Sequence, residues 1–530
     1  MAQQVEGLSE SAGAGAGAGS TRRRGSAARH VFVAIVGSGF SGLAVAARLK
    51  KAGIVDFVLL ERASTLGGTW RDNHYPGCAC DVPSHLYSFS FAPKHDWTRA
   101  FAPHDEIRAY LEKCADDFDL RRHILFEQQI VGATWDEGRA LWRLRTRTGE
   151  ELTANVLVMG IGALSNPAYP KLRGIERFRG AQFHSARWRH DYDLTGKRVA
   201  VIGTGASAIQ FVPQIQPRVE KLYLLQRTPP WVLPKPDRAF STWEKEAFRA
   251  VPGLRWLYRQ SLYWRLEARV LAFVDHPALM RMVELEGKRH IARSIRDPKL
   301  RELLTPRYKP GCKRLLLSND YYPALAQPNV EVLGDAVAEV SEDEIALGSG
   351  RKLEVDAIMY GTGFAVHDYL GGMRITGRDG VSLADQWKDG AEAYLGTTVA
   401  GFPNLFMMTG PNTGLGHNSM IVMIEGQARL AGEAIGLLRD RDLASIEVRR
   451  DVQADYNAWL QGRTTQAVWS SGCSSWYLNE AGKNTTLWPG FTAVFRARTA
   501  RLRISDYELR AGSSQRTRKE TQLDEQQTLR

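Results

Sequence analysis

The first long apolar segment of the chain has the pattern of a buried strand followed at once by a helix. Residues 30–36 form a nearly continuous run of apolar and β-branched side chains, which is typical of a strand buried on both faces of a parallel sheet. A glycine-rich turn follows at Gly37, residues 43–51 have a helical pattern, and residues 56–60 form a second apolar strand. The order strand, turn, helix, strand predicts a parallel α/β domain.

The turn after the first strand has the glycine spacing of a dinucleotide-binding loop. Such glycines allow a tight turn and a close approach of the backbone to a pyrophosphate, and the helix N-terminus offers free N–H groups and a positive dipole end. Glu61 follows the last of these glycines by 19 residues, where a carboxylate accepts a hydrogen bond from a ribose hydroxyl. The residues predicted to bind this first dinucleotide are Gly37, Gly39, Phe40, Gly42, Glu61 and Arg62.

The same arrangement occurs a second time, with a different residue after the second strand. An apolar strand at 199–202 leads into Gly203-Thr-Gly205-Ala-Ser-Ala208, a helix start and a strand at 221–226, and the same offset now gives Arg227. Arginine with a neighbouring hydroxyl binds a ribose 2′-phosphate, which a carboxylate would repel, so the first site predicts FAD and the second NADPH. A solvated surface cation is the alternative interpretation of Arg227. The residues predicted to bind the second cofactor are Gly203, Thr204, Gly205, Ser207, Ala208, Arg227 and Thr228.

The remaining segments predict how the two units are joined. Residues 229–314 are helical and aromatic-rich in pattern, and residues 330–333, 355–360 and 406–409 return to apolar strands. The predicted fold class is α/β, with two Rossmann-like dinucleotide-binding domains and a helical insertion in the second. The predicted boundaries are 1–29 for a disordered N-terminal tail, 30–165 for the first part of the FAD-binding domain, 166–385 for the NADPH-binding domain with its insertion at about 235–310, 386–510 for the second part of the FAD-binding domain, and 511–530 for a disordered C-terminal tail.

One helical face of the insertion is apolar. The residues that share this face are Leu254, Leu257, Tyr258, Leu262, Leu266 and Val270. A stripe of this kind usually packs in a core, although it could also form the wall of a substrate cleft or lie on a membrane surface. The core interpretation is favoured.

Composition changes this picture little, except through the distribution of charge. The 530 residues are 44% hydrophobic and 24% charged, which is ordinary for a soluble globular protein. The net charge is +12, and residues 238–314 alone contain 18 basic and 8 acidic side chains. No nucleic-acid recognition motif accompanies this charge, so a basic surface near a phosphate-rich cofactor is favoured, with a non-enzymatic basic binding protein as the alternative.

The cysteines and the N-terminal segment indicate the compartment. Five scattered cysteines favour a reducing environment over a disulfide framework, and Cys78 and Cys80 lack the spacing of a zinc site, so no metal is predicted. The first 30 residues lack the apolar core of a secretory signal, and the apolar run at 31–49 contains the glycine turn, which argues against a membrane span. The sequence predicts a cytoplasmic protein without an integral membrane segment and leaves the oligomeric state open.

Two longer motifs lie between the glycine turns. The first runs from Gly67 to Asp81, Gly-Gly-Thr-Trp-Arg-Asp-Asn-His-Tyr-Pro-Gly-Cys-Ala-Cys-Asp. The second has the spacing Phe-x-Gly-x3-His-x3-Trp and consists of Phe178, Gly180, His184 and Trp188. With both glycine turns in the same order, the chain resembles the class B flavoprotein monooxygenases, and within that class the Baeyer–Villiger monooxygenases. The resemblance covers roughly residues 31–509.

The resemblance has two departures. Arg189 follows Trp188 where the family usually has proline or aspartate, and Leu315 follows Arg314 where the family usually has proline. An aromatic residue followed by a basic one is typical of sister enzymes that oxygenate nitrogen or sulfur. The substrate is therefore either a small ketone, which would give an ester or lactone, or a small sulfide or amine. The predicted cofactors are the same in both cases, together with O2.

The resemblance implies a chemistry with a specific electrostatic demand. NADPH reduces FAD, the reduced flavin captures O2 as a C4a-peroxide, and the peroxide attacks a ketone carbonyl. A buried peroxyanion needs a cation that keeps its proton, a role that suits arginine. Lys313 and Arg314 match the family's Lys-Arg pair, so Arg314 would stabilise the negative oxygen and Lys313 would bind the 2′-phosphate. Asp81 would orient Arg314 beside the flavin.

The other matched positions are cofactor contacts and a linker between domains. Those matched to flavin contacts are Thr69, Trp70, Asp81, Tyr87, Ile130 and Met420. Trp476 matches a residue that packs on the nicotinamide cofactor. The second motif forms the linker, and because the flavin cycle needs no protein base there, we expect His184 to act in domain movement rather than in acid–base catalysis.

The sequence lacks the motifs that are typical of other enzyme classes. A disulfide reductase would need a Cys-x-x-Cys or Cys-x4-Cys pair, which is absent, whereas a simple NADPH oxidase stays an alternative. No Gly-x-Ser-x-Gly elbow, His-Glu-x-x-His or Gly-x4-Gly-Lys loop occurs, so a hydrolase is not expected.

Overall fold

The structure is a computed structural model that describes residues 29–473 and 475–512. The predicted tails lie outside the described residues, except that Arg29 begins the first strand and Ala511 ends the last one. No helix within the described residues is long and apolar enough to cross a membrane.

Strands and helices alternate along most of the described chain. The strands are β1 (Arg29–Val36), β2 (Phe57–Leu60), β3 (Ile124–Leu125), β4 (Ile130–Asp136), β5 (Leu141–Thr146), β6 (Glu151–Met159), β7 (Ala181–His184), β8 (Arg198–Ile202), β9 (Lys221–Leu225), β10 (Val232–Leu233), β11 (Leu316–Leu317), β12 (Val330–Leu333), β13 (Val337–Val340), β14 (Glu344–Leu347), β15 (Lys352–Glu354), β16 (Ala357–Tyr360), β17 (Arg374–Thr376), β18 (Leu405–Met407), β19 (Leu443–Val448) and β20 (Tyr507–Ala511). The α-helices are α1 (Phe40–Lys51), α2 (Thr69–Asp72), α3 (His104–Asp117), α4 (Ala208–Ile215), α5 (Thr242–Ala250), α6 (Leu254–Glu267), α7 (Met280–Ser294), α8 (Pro298–Leu304), α9 (Tyr321–Leu325), α10 (Leu383–Gln386), α11 (Met420–Asp440), α12 (Arg450–Thr464) and α13 (Thr492–Arg498).

The first sheet has the order β17-β4-β5-β6-β1-β2-β3, and β18 pairs with the end of β6. Strands β3, β2, β1, β6 and β18 run parallel, and α1 packs against α11 on one face. The last third of the chain therefore adds a strand and a helix to a sheet that the first third begins. Because β17 already pairs with β4, the chain has returned to this sheet before residue 374, ahead of the predicted boundary at 385.

The second sheet, β12-β9-β8-β16-β7, is parallel throughout. Its central strand β8 is buried on both faces, as Val199, Ala200 and Val201 are all 0% exposed. This explains the uninterrupted apolar run in the sequence, since helices or loops cover both sides of a parallel sheet. A mixed sheet with a parallel part around β1 and a fully parallel sheet around β8, each with a glycine turn after that strand, confirm the predicted α/β fold with two Rossmann-like domains.

The helices α5 to α8 lie between β10 and β11, which pair in parallel. On α6 the predicted apolar stripe is partly buried: Leu262 and Leu266 are 2% and 5% exposed. Leu257, however, is 59% exposed. The core interpretation is therefore wrong for Leu257, because α6 turns that part of its stripe toward solvent.

Two connections run between the sheets, and they pair with each other. One follows β6 and the other follows β16. The Ala168 amide donates to the Gly363 carbonyl at 2.9 Å, and the Ala365 amide donates to the Asn166 carbonyl at 2.9 Å. The Thr362 hydroxyl donates to the Ala168 carbonyl at 2.6 Å. The two connections thus form one double-stranded hinge.

His184 lies at the end of β7 beside this hinge. Its ring centroid is 5.4 Å from that of Tyr169 in one connection and 5.7 Å from that of Phe364 in the other. The side chain is fully buried, Nδ1 accepts a hydrogen bond from the Ala186 amide at 3.1 Å, and burial lowers the pKa of His184 to about 4. A neutral, enclosed imidazole that touches both connections supports a conformational role for His184, which stays a prediction.

Acid should destabilise the fold through its buried histidines. Burial also lowers the pKa of His417, to about 3. An unfolded histidine takes up a proton below a pKa of about 6.5, while these two folded ones do so only near pH 3–4. The free energy of unfolding is therefore highest above about pH 6.5 and falls as the pH drops toward 4, by up to about 1.4 kcal/mol per pH unit for each histidine.

Urea unfolding of the wild type and His184→Gln at pH 7 and pH 5 measures this effect. The variant should show the shallower pH dependence, whereas His276→Gln, at an exposed position, should match the wild type. If the free energy of unfolding of His184→Gln depended on pH as steeply as that of the wild type, the lowered pKa of His184 would be contradicted.

Candidate active site

The turn after β1 is built so that α1 begins close to the end of the strand. Gly37 has a φ of +99°, and a Cβ there would lie 2.6 Å from the carbonyl oxygen of Gly160. A Cβ on Gly42 would lie 1.9 Å from the carbonyl oxygen of Gly37, so only glycine permits this approach. The free N–H groups of α1 therefore lie where the pyrophosphate of a dinucleotide would need them.

The Glu61 carboxylate closes the other side of this turn. It is 3% exposed, and its Oε2 accepts hydrogen bonds from the Ser38 amide at 3.0 Å and the Ser38 hydroxyl at 2.7 Å. Its Oε1 accepts from Arg71 at 2.8 Å. The ribose hydroxyl predicted for this position would bind Glu61 in addition to these protein donors. Arg62 instead pairs with Asp72 at 3.3 Å.

Aromatic side chains from three segments meet beside the start of α1. The Phe40 ring lies edge-on to the Tyr87 ring with centroids 5.3 Å apart, and Trp70 Nε1 donates to the Tyr87 hydroxyl at 3.2 Å. Thr69 begins the short helix that carries Trp70. Met420 is the first residue of α11, and the Ser419 hydroxyl before it donates to the carbonyl of Leu86, the neighbour of Tyr87, at 3.3 Å. These predicted flavin contacts therefore share one region of the first domain.

Ile130 lies apart from this group. It is 4% exposed in β4 and belongs to the core on the other face of the first sheet from α1. The nearest contact with the first cofactor site is made by the backbone two residues earlier, where the Gln128 amide donates to the Glu61 carbonyl at 2.8 Å. The structure does not bring the Ile130 side chain together with the aromatic residues.

The turn after β8 repeats the construction of the first. Gly203 has a φ of +103°, and a Cβ there would lie 2.5 Å from the carbonyl oxygen of Gly361, the counterpart of Gly160. The Thr204 hydroxyl donates to the Thr228 carbonyl at 3.3 Å, which ties the turn to the end of β9. The other predicted contacts are Gly205 within the turn, Ser207 before α4, and Ala208 as its fully buried first residue.

Two cations without a carboxylate partner lie near this second turn. Arg227 is exposed after β9, and burial together with the neighbouring charge of Arg227 lowers the pKa of Lys313. Neither residue forms an ion pair within residues 29–473 and 475–512. Like charges held together favour a multiply charged anion between them, so the site fits the 2′-phosphate of NADPH.

An ion pair between Arg314 and Asp81 joins the loop before β11 to the first motif. Arg314 donates to Asp81 Oδ2 from Nη2 at 2.6 Å and from Nε at 3.1 Å, and its Nη1 reaches the Leu415 carbonyl at 3.4 Å. Burial alone would raise the pKa of Asp81, but Arg314 lowers it, and Asp81 in turn raises the pKa of Arg314. The two side chains are 31% and 28% exposed, so one side of the charged pair is accessible.

Two further residues lie beside this pair without a motif to predict them. Tyr477 is 1% exposed, its hydroxyl has no hydrogen-bond partner among the described residues, and burial raises its pKa to about 12, with smaller effects from Arg314 and Asp81. Lys235 helps to lower the pKa of Asp81. The position of Tyr477 next to Trp476 is the one signal in the sequence that could have indicated it.

A disulfide bond joins Cys312 to Cys473, contrary to the expectation of free thiols. The two cysteines are 161 residues apart, and the bond fastens the loop of Arg314 to the segment of Trp476. Trp476 is 41% exposed and stands edge-on to Tyr477, with ring centroids 4.4 Å apart. Scattered cysteines gave no indication of this pairing, because a contact over such a separation depends on the tertiary fold.

The other three cysteines are buried free thiols. Burial raises the pKa of Cys78 to about 12, so this thiol stays protonated at neutral pH. Within the part of the chain that the structure describes, no group of three or more histidine, cysteine or carboxylate side chains could hold a metal ion.

The second motif is buried in the second domain. Phe178 is 7% exposed in its core, and a Cβ on Gly180 would lie 2.5 Å from the Asp356 carbonyl oxygen. Trp188 is 7% exposed, with its ring centroid 5.2 Å from those of both Phe183 and Phe211. These residues fix the geometry of the domain and do not reach the Arg314 pair.

The two motifs approach each other across the domain boundary. His74 Nδ1 lies 2.8 Å from His190 Nε2, and the Tyr75 hydroxyl donates to Gln210 Oε1 on α4 at 2.9 Å. Arg189, the departure from the family pattern, is on the surface, where it pairs with Asp191 at 2.6 Å. It therefore has no contact with the candidate reaction centre.

Comparison with known proteins identifies this arrangement. Residues 30–245 match the family described as flavin-binding monooxygenase-like. The chain is 53% identical to a Baeyer–Villiger monooxygenase of Pseudomonas aeruginosa, over 92% of this chain and 93% of that one. The chain belongs to the Baeyer–Villiger monooxygenases.

Solved structures agree with the fold and the cofactors of this Baeyer–Villiger monooxygenase. A steroid monooxygenase bound to NADP is 31% identical with a TM-score of 0.82, over 91% of this chain and all of that one. The OTEMO complex with FAD and NADP is 25% identical with a TM-score of 0.82 and the same coverage. The enzyme is an NADPH-dependent FAD monooxygenase, as predicted, and the alternatives of a disulfide reductase and a basic binding protein are wrong.

The 2′-phosphate site of this Baeyer–Villiger monooxygenase can be tested through its two cations. In Arg227→Ala and Lys313→Ala, the KM for NADPH should rise about 10- to 100-fold, because each loses a charge-assisted bond of about 1.5–3 kcal/mol. The KM for NADH should stay nearly constant, since NADH lacks the phosphate. Steady-state oxidation of both nucleotides gives these values, with the exposed Arg218→Ala as control. Equal rises for NADH and NADPH would contradict the assignment.

The disulfide of this Baeyer–Villiger monooxygenase should stabilise the fold in the absence of reductant. A loop of this length is worth at most about 5 kcal/mol of chain entropy in the unfolded state. Cys473→Ser should therefore lower the Tm under non-reducing conditions, and reductant should bring the wild type to the same Tm. Thiol titration of the unfolded wild type should find the three free cysteines before reduction and two more after it. All five thiols titrating without reductant would contradict the bond.

Proposed function

We propose that this enzyme converts an apolar ketone to an ester or lactone, and that Arg314, oriented by Asp81, stabilises the negative charge that develops on oxygen. The observation that carries the proposal is the 2.6 Å ion pair between Arg314, from the second domain, and Asp81, from the first motif. Bound FAD, once reduced by NADPH, supplies the activated oxygen. The protein supplies charge, orientation and an apolar enclosure.

Arg314 has donors to spare for a reacting oxygen. A guanidinium has five N–H donors, of which two bind Asp81 and one reaches Leu415, so two are without a partner among the described residues. Asp81 raises the pKa of Arg314, which keeps the cation charged at neutral pH. A fixed cation in a partly enclosed site stabilises a developing anion more strongly than water does.

Tyr477 is proposed as a donor to the substrate carbonyl. Its buried hydroxyl has no partner among the described residues, and a raised pKa of about 12 keeps it protonated. Such a group is costly to bury unless a ligand completes its hydrogen bonding.

The apolar character of the substrate is inferred from the apolar side chains packed beside the loop of Arg314. A Cβ on Gly311 would lie 2.8 Å from Val468 and 3.2 Å from Phe273, so these side chains lie next to the loop that carries Arg314. Both belong to a cluster that also contains Trp469 and Leu487. The relatives named for steroid and Baeyer–Villiger chemistry support a ketone. Sulfur or nitrogen oxygenation was motivated by Arg189, whose surface position removes that motive.

Replacement of Arg314 should separate flavin reduction by NADPH from oxygen transfer to the substrate. Arg314→Ala should bind FAD and accept hydride from NADPH, but its rate of ester formation should fall at least about 100-fold, as expected for loss of a fixed charge-stabilising donor. Arg314→Lys should recover little, because one ammonium cannot hold Asp81 and a reacting oxygen together. Flavin absorbance follows reduction, and mass spectrometry under 18O2 follows labelled ester. Labelled ester at the wild-type rate in Arg314→Ala would overturn the role, and Arg218→Ala is the control.

A further inference from the structure

The helical insertion carries a large share of the exposed apolar side chains. Nine of the 18 exposed large hydrophobic side chains among the described residues fall within residues 243–285, so they form a concentration rather than a scatter. These nine are Trp243, Val251, Trp256, Leu257, Trp264, Leu271, Leu279, Met282 and Leu285. Three of them are tryptophans that are 58–72% exposed.

On α6 the exposed side chains share one side of the helix. At about 100° per residue, Trp256, Leu257 and Trp264 fall within a sector of about 100°. On the other side of the helix Leu262 and Leu266 are buried, and the buried Glu267 at its last turn accepts hydrogen bonds from Asn418 at 2.6 Å and from Thr492 at 2.7 Å. The helix therefore cannot rotate to hide its tryptophans without breaking a buried carboxylate network.

On α7 the exposed apolar residues are surrounded by unpaired cations. Met282 and Leu285 are 71% and 55% exposed. The exposed arginines around them are Arg281, Arg289 and Arg293. None of the three forms an ion pair with a carboxylate in residues 29–473 or 475–512. Their charge is therefore available to an external anionic partner.

We propose that the exposed side chains of α6 and α7 dock the enzyme on the anionic leaflet of a lipid bilayer. We name this surface the insertion face and define it by Trp256, Leu257, Trp264, Met282 and Leu285 with the cations Arg281, Arg289 and Arg293. Tryptophan rings favour the depth of the lipid headgroups, where an apolar body and a polar N–H are both satisfied. Each arginine near an anionic leaflet adds to the attraction between protein and bilayer.

Charge favours a bilayer over a second copy of the chain. A two-fold interface would place the same surface patch on both subunits. It would bring Arg281, Arg289 and Arg293 of one copy toward those of the other, and Glu286 is the one carboxylate of α7 outside the Glu284–Lys288 pair, so like charges would predominate. An anionic leaflet supplies the opposite charge. No helix of the described residues spans a membrane, so the association is peripheral. The inference does not depend on the roles proposed for Arg314 and Tyr477.

Sedimentation of the FAD-loaded enzyme with lipid vesicles tests the proposal. We use vesicles of phosphatidylcholine alone and of phosphatidylcholine with phosphatidylglycerol at about 3:1, in low salt, where charge attraction is least screened. The bound fraction should be at least about tenfold greater with the anionic vesicles and should fall as salt is added. Trp256→Ser/Trp264→Ser should abolish binding, and Arg281→Gln/Arg289→Gln/Arg293→Gln should abolish the preference for anionic lipid.

Matched controls change the same properties elsewhere on the surface. Val55→Ser/Val381→Ser removes two exposed apolar side chains outside the insertion, and Arg139→Gln/Arg145→Gln/Arg147→Gln removes three exposed charges from the first domain. Both controls should bind as the wild type does. Flavin content and NADPH oxidation confirm that every variant is folded.

Three outcomes would overturn the proposal. The wild type could fail to sediment with anionic vesicles, or the tryptophan variant could bind as well as its control. The third is a dimer in analytical ultracentrifugation that the tryptophan substitutions convert to a monomer, which would assign the insertion face to a second copy of the chain.

Discussion

The ion pair between Arg314 and Asp81 sets the constraint on which the reaction centre depends. Its two halves come from different Rossmann-like domains, and the same guanidinium also reaches Leu415 in the segment before α11. Removing either partner would leave a charge in a partly enclosed site, which costs far more than the pair itself gains. The reaction centre therefore exists only while the two domains hold this contact. Correct pairing of the domains is thus a requirement for the chemistry.

The other contacts at the domain boundary keep the two domains in the position that this ion pair needs. The double-stranded hinge limits how the sheets can move, and His184 packs against both of its strands as a neutral side chain. The first motif reaches across to α4 through Tyr75 and Gln210. The paired connections and the Tyr75–Gln210 contact both hold the two glycine turns in a fixed relative position. A neutral His184 at this position is consistent with its predicted conformational role, which needs no proton transfer.

Local patterns in the sequence predicted the parts of the structure that local physics determines. The strands beside both glycine turns, Glu61 and the unpaired Arg227 could be read from periodicity and spacing, because backbone sterics and phosphate binding act over a few residues. The family resemblance led to Arg314 and Asp81, which spacing alone could not connect. The Cys312–Cys473 bond, the exposure of Leu257 and the orphaned Tyr477 hydroxyl depend on how distant segments pack. No short-range pattern carries that information.

The Cys312–Cys473 bond has a mechanical consequence. It adds a covalent link between the loop that carries Arg314 and the segment that carries Trp476, in addition to the paired connections and to noncovalent contacts such as that of Tyr75 with Gln210. Arg314 and Trp476 are two and three residues from the bonded cysteines. The bond therefore limits how far these two side chains can move apart when the domains shift.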